Sequence, residues 1–173
     1  MASTPAAAPP QHESAFWQFS LAFYARPQVA DACLELQDCA GIDVNVMLYL
    51  LFLATQNREL SSDDVARIDA TIAGWREQVV LPLRNVRRAL KPGIPPCDRT
   101  DTDELRSAVK RIELDAERIE QETIERLAAA ESTGHVATSR LDAARANLAT
   151  YSEFLGALPA APLMTLLDAF ATF

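Results

Sequence analysis

The chain has 173 residues, 49% of them hydrophobic and 23% charged; that is enough for one core needing no disulfide or metal, and too apolar for a wholly disordered chain. Its formal net charge of −8 sets it against phosphate backbones, which argues against nucleic acid as a partner. The longest apolar run, Val46 to Ala54, has nine residues, whereas a membrane span needs about twenty. Three cysteines, an odd count without a CxxC pair, suit reduced thiols, so the expectation is a cytoplasmic protein with no membrane span.

Residues 1–13 are small and Pro/Ala-rich, with neither the basic nor the apolar region of a signal peptide, and are expected to form a disordered leader. A helical core is expected over 14–91. Ser14 can cap a helix from Ala15 to about Ala25, with Phe16, Phe19 and Phe23 near one face. Pro27 suits the first turn of a second helix, stopped by Gly41. Asp43 can cap a third, Val44 to about Gln56. It is apolar on nearly every side and therefore expected at the centre. Ser61 and Asp64 open a fourth helix, on which Val65, Ile68, Ile72, Trp75 and Val79 keep helical spacing. Pro82 then kinks it or starts a fifth piece, Leu81–Leu90.

Residues 92–102, with three prolines and a glycine, read as a linker. Asp101 and Glu104 form an acidic version of a capping box. Leu105, Val109, Ile112, Ala116, Ile119 and Thr123 follow at heptad spacing. After a turn at Gly134, Leu141, Ala144, Leu148, Tyr151, Leu155 and Leu158 repeat the pattern. The two stripes predict an antiparallel helical hairpin over 103–158, packed on the core. A hairpin fills its own seam, which disfavours self-association through it, and monomer and dimer both stay open. An apolar helix over 159–173 closes the chain. The expected fold class is all-α: a helical bundle around a central apolar helix, with a long antiparallel helical hairpin.

The segment FWQFSLAFYARPQVADACLELQDCAGIDVNVMLYLLFLA, followed by GWREQVVLPLRNVRRALK, resembles an uncharacterised family of small bacterial helical proteins, a domain of unknown function. The residues that carry the resemblance include Trp17, Phe19, Ser20, Tyr24, Leu36, Gln37, Gly41, Asp43, Val44, Asn45, Trp75, Arg76, Pro82, Leu83 and Arg84. The resemblance implies a helical fold and a bacterial source, and no activity.

Four groups of residues are candidates for function. Gln37, Asp38, Asp43 and Asn45 could hold a cation or a proton, although helix punctuation accounts for them better. Residues 61–91 carry six basic and four acidic groups, the only basic stretch of the chain. There Arg84, Arg87, Arg88 and Lys91 share one helical face, with Arg76 upstream. These five are the candidate anion- or partner-binding residues, with the acidic hairpin (Glu113, Glu117, Glu120) as a possible intramolecular partner. Trp17, Tyr24 and Trp75, with Asp43 and Asn45, could line a pocket; Tyr49 joins the aromatic set, and core packing is the plainer account of all these rings. Leu163, Leu166, Leu167, Phe170 and Phe173 could dock into a partner or pack over the bundle end.

His12 and His135 have no nearby nucleophile, and neither a paired-acid motif nor a Gly-rich phosphate loop occurs. No catalytic residue, metal or cofactor is therefore assigned. The expectation is a non-enzymatic helical interaction protein, adaptor or regulator, with a protein partner. The alternative is a small-molecule or anion-binding domain, possibly an enzyme, using the Arg84/Arg87/Arg88 face.

Overall fold

The computed structural model describes residues 14–129 and 133–173. The expected leader and His12 lie outside them. The elements are α1 (Ala15–Tyr24), α2 (Val29–Ala40), α3 (Val44–Thr55), β1 (Arg58–Glu59) and α4 (Ser62–Trp75), then a π-helical segment (Arg76–Val80), α5 (Leu81–Ala89), α6 (Arg99–Ala129), β2 (His135–Val136), α7 (Arg140–Leu155) and α8 (Ala160–Ala171). The chain is an all-α helical bundle. Among the described residues no helix is long and apolar enough to cross a membrane.

Local chemistry sets most helix ends. Ser14 accepts from Trp17 N at 3.0 Å. Asp43 Oδ1 accepts from Asn45 N at 2.9 Å and Val46 N at 3.3 Å. Ser61 and Asp64 form a reciprocal capping box. Gly41 ends α2 in the left-handed conformation, φ +65°, which glycine adopts without the steric cost a Cβ brings.

α3 is the centre. Val46 to Leu51 are all buried, and α1, α6 and α7 pack around them. Burial of such side chains stabilises by roughly 1.5–3 kcal/mol each. Phe16, Phe19 and Phe23 turn inward together, as expected from their spacing. α8 packs on α2 and α7 through Pro162, Leu166 and Phe170. Phe173 meets Phe19 and Phe23 edge-on, at centroid distances of 5.3 and 5.4 Å.

Pro82 does not simply break the fourth helix. The ladder widens to a π turn over Arg76–Val80 just upstream, and α5 continues from it. A proline lacks the N–H of the i→i−4 bond and crowds the carbonyl four residues back, which a widened turn accommodates. β1 and β2 pair antiparallel, Arg58 with Val136 and Glu59 with His135. These two-residue strands have no sequence signal. Gly134 beside them has φ +71°, and a Cβ there would lie 2.5 Å from the Glu59 carbonyl oxygen.

The expected seam between the two long helices is corrected. α7 packs on α3, α4 and α8, while α6 packs on α5, α3, α4 and α1, so the central helix takes up both. α6 also begins at Arg99, ahead of the expected start, because Asp98 Oδ1 accepts from Thr100 N at 2.7 Å and replaces the Asp101/Glu104 box.

Candidate functional site

The buried side of α6 is polar. It carries Glu113, Glu120 and Gln121 beside Val109, Ala116 and Ile124, all buried. Asn45, in the first turn of α3, donates to Glu120 Oε2 at 2.8 Å and accepts from Gln121 Nε2 at 2.7 Å. Next to it the Asp43 cap pairs through Oδ2 with Arg76 Nη1 at 2.9 Å. Arg76 also forks onto Asp69, at 2.7 and 3.2 Å. Tyr151 Oη, from α7, lies 3.3 Å from both the N–H and the carbonyl oxygen of Asp43. Four helices thus meet at one polar knot.

Electrostatics sort its members. Burial first, then the charge of Asp43 and a hydrogen bond with it, push the Glu120 carboxyl up to about 9; Asn45 and Arg76 oppose this. The raised value favours the neutral acid at neutral pH, with Oε2 accepting from Asn45 at 2.8 Å. Burial works against the Arg76 charge, but the hydrogen bonds it donates to Asp69 and Asp43 outweigh this and raise its pKa. The Tyr151 hydroxyl is raised by burial and then by Asp43, and stays protonated.

A second knot lies along α5. Arg84 reaches Glu113 at 3.2 Å and Glu117 at 2.9 Å. Arg87 forks onto the same Glu113, with one arm at 3.1 Å. Arg88 pairs with Asp38 of α2. Burial raises the Glu117 carboxyl against the pull of Arg84. Four of the five candidate basic residues therefore meet carboxylates of this chain, and Lys91 is exposed at the end of α5.

The candidate pocket residues are distributed differently. Asp43 and Asn45 sit in the first knot. Trp75 Nε1 donates to the Ala116 carbonyl of α6 at 3.1 Å. Tyr24 is half-buried, raised by burial and then by Cys33 and Glu117. Trp17 is half-buried on α1, apart from the first knot, and Tyr49 packs edge-on to Phe16 in the core. Gln121 and Tyr151 joined the site without a sequence signal, since each reaches it only through the crossing of distant helices, whereas Asp69 lies seven residues before Arg76 on the same continuous helical stretch, a spacing the sequence does carry. Among the described residues no group of three His, Cys, Asp or Glu side chains is placed to hold a metal ion.

The outer side of α6 differs in kind. Leu105 is 54%, Ile112 54% and Ile119 41% exposed. The anticipated stripe is split: Val109 and Ala116 face in, and the row seven residues apart faces out. Burying Glu113, Glu120 and Gln121 rotates the helix away from the setting that its apolar residues alone would choose.

Residues 15–124 match the family model described as a protein of unknown function, DUF2390. The chain belongs to this family. The DUF2390 stretch holds Asp43, Asn45, Arg76, Glu120 and Gln121, while Tyr151 enters the knot from beyond it. No curated protein and no solved structure matches the chain.

Proposed function

We propose that the chain is a helical interaction protein without catalytic chemistry of its own, and that it works through the outer face of α6. One observation carries this reading: the exposed row Leu105, Ile112 and Ile119, at the seven-residue spacing of helix pairing. Single exposed apolar residues need no partner, but an aligned row invites one. The opposite face of α6 is tied down by buried hydrogen bonds and ion pairs, so the row is presented on a rigid support. That lowers the ordering cost of association. The anion-binding alternative is disfavoured, because an incoming anion must displace Glu113, Glu117 and Asp38 from Arg84, Arg87 and Arg88. It would leave Glu113 buried without its counter-charge.

A photoreactive amino acid placed at Ile112 in the native cells tests the reading, with the same group at exposed Ala149 on α7 as control. A cross-linked polypeptide specific to position 112 is expected. No product above the control would overturn it.

A further inference from the structure

Resting on that reading, we infer that the occupant of the α6 face is a second copy of this chain, laid antiparallel about a two-fold axis at Ile112. The row is close to a palindrome about that point. With Ile112 on its own counterpart, Leu105 of each copy meets Ile119 of the other. Between Leu105 and Ile119 the seam runs about 21 Å at the helical rise. Its packing is apolar on apolar, as the 3.5-residue repeat of paired helices requires.

The charges agree with the same register. At the helical step Glu104, Arg111, Asp115 and Arg118 lie on one flank of the row. In an antiparallel two-fold pair like flanks face each other. Glu104 then comes within about two positions of Arg118 of the other copy, and Arg111 within about two positions of Asp115, within reach of such side chains. Each contact occurs twice by symmetry. Glu104, Arg111 and Asp115 are exposed, and none belongs to an ion pair among the described residues. Arg118 holds Glu122 at 2.8 Å, and its guanidinium has further N–H groups for Glu104. A parallel pair would set this flank against the opposite flank of the partner, where Val109, Glu113 and Ala116 are buried in the bundle, and gains none of these contacts. Because α7 packs on α3, α4 and α8, it does not fill this seam. The seam is shorter than a standard interface, so the dimer is weak and concentration-dependent.

Sedimentation equilibrium of the full chain from about 1 to 200 μM, the range a small interface occupies, is the test. A monomer–dimer equilibrium is expected. Ile112→Glu weakens it at least tenfold with the far-UV circular dichroism unchanged. Arg111→Glu and Asp115→Arg each weaken it, and the double variant R111E/D115R restores it, which only the proposed register does. A chain that stays monomeric throughout, or a double variant no better than the singles, overturns the proposal. So does a dimer that appears only after deletion of residues 2–13, since the row would then belong to the chain's own N-terminal segment. In the cross-linking experiment, an Ile112 adduct to a different polypeptide removes the self-pairing and keeps the interaction reading, whereas no adduct removes both.

Discussion

Asn45 Nδ2 donates to Glu120 Oε2 at 2.8 Å across 75 positions of chain, and Gln121 Nε2 returns a bond of 2.7 Å to the other side of the same amide. Two successive residues of α6 therefore grip one side chain of α3. A 100° step separates successive positions on a helix, so a double grip fixes rotation as well as distance. Apolar packing alone tolerates small rotations, whereas a buried hydrogen bond that is lost leaves its partner unsatisfied. The knot sets which face of α6 points outward, and so where the Leu105/Ile112/Ile119 row lies.

Glu120 serves this grip as a neutral acid, and its amide analogue keeps the grip: the Gln oxygen accepts from Asn45, and the Gln nitrogen brings no negative charge beside Asp43. Glu120→Gln is expected to match or exceed the wild-type stability at pH 7, and Glu120→Ala to cost about 2–4 kcal/mol. The sign with pH follows from linkage. The folded carboxyl titrates at about 9 against an ordinary 4.5, so the folded state holds the extra proton between them. The Glu120 contribution is fully present below about 4.5, declines as the pH rises, and is lost once it passes about 9. Urea unfolding at pH 5, 7 and 9 should show Glu120→Gln gaining on wild type at each step. A difference independent of pH would mean that Glu120 is ionised in the fold.

Arg76 neutralises two acids, so its loss strands both. Arg76→Leu is expected to cost about 3 kcal/mol, because it leaves the buried Asp43 carboxylate uncompensated. Asp43→Asn keeps an oxygen for the α3 cap and removes the stranded charge. In the Arg76→Leu background it should therefore cost less than it does alone. Urea midpoints of the two singles and the double measure this coupling, and strict additivity would contradict the geometry.

How much of this was legible in the sequence follows the range of each interaction. The caps at Ser14, Asp43 and Ser61 span three residues or fewer, and each was readable as it stands. The all-apolar α3 announced its central place. Pro82 announced a disturbance, but the π turn depends on what the ladder does upstream. Asp43 was readable as a cap and not as the partner of Arg76, since that pairing needs the start of the π turn to lie against the start of α3, 33 positions away in the chain. The α6 stripe misled because an apolar pattern presumes that apolar residues turn inward. Glu113 and Glu120 turn inward instead, one held by Arg84 and Arg87, the other neutralised by protonation. Burying acids is costly unless each is so compensated, and the compensating groups are remote in sequence.

Asn147 repeats the logic at the far end of α3. Its amide donates to the carbonyls of Leu50 and Arg58, both at 3.0 Å, and its oxygen accepts from Leu60 N at 2.8 Å. Asn147→Ala takes this partner from the Leu60 N–H and the Arg58 carbonyl, while the Leu50 carbonyl keeps its bond within α3, and is expected to cost about 3 kcal/mol. Asn147→Asp keeps the acceptor but turns a second oxygen onto two carbonyls, and should be worse than alanine at pH 7. Thermal unfolding ranks the pair, and an Asn147→Asp chain that outlasts the alanine variant would refute this bonding pattern.

The split of the α6 stripe has its own stability signature, separate from association. Ile112 is 54% exposed, whereas Val109 is 8% exposed. A seam shared with α7 would bury both, and polar substitution would then be costly at either. With the observed rotation, Ile112→Ser removes little buried area and should shift stability by no more than about 0.5 kcal/mol. Val109→Ser places a hydroxyl among buried side chains and leaves unfilled volume, at a cost of about 2 kcal/mol. Urea unfolding at a few micromolar, where a weak dimer is dissociated, isolates the folding term. Equal losses at the two positions would place Ile112 inside the bundle and return α6 to the rotation that its apolar residues alone suggest.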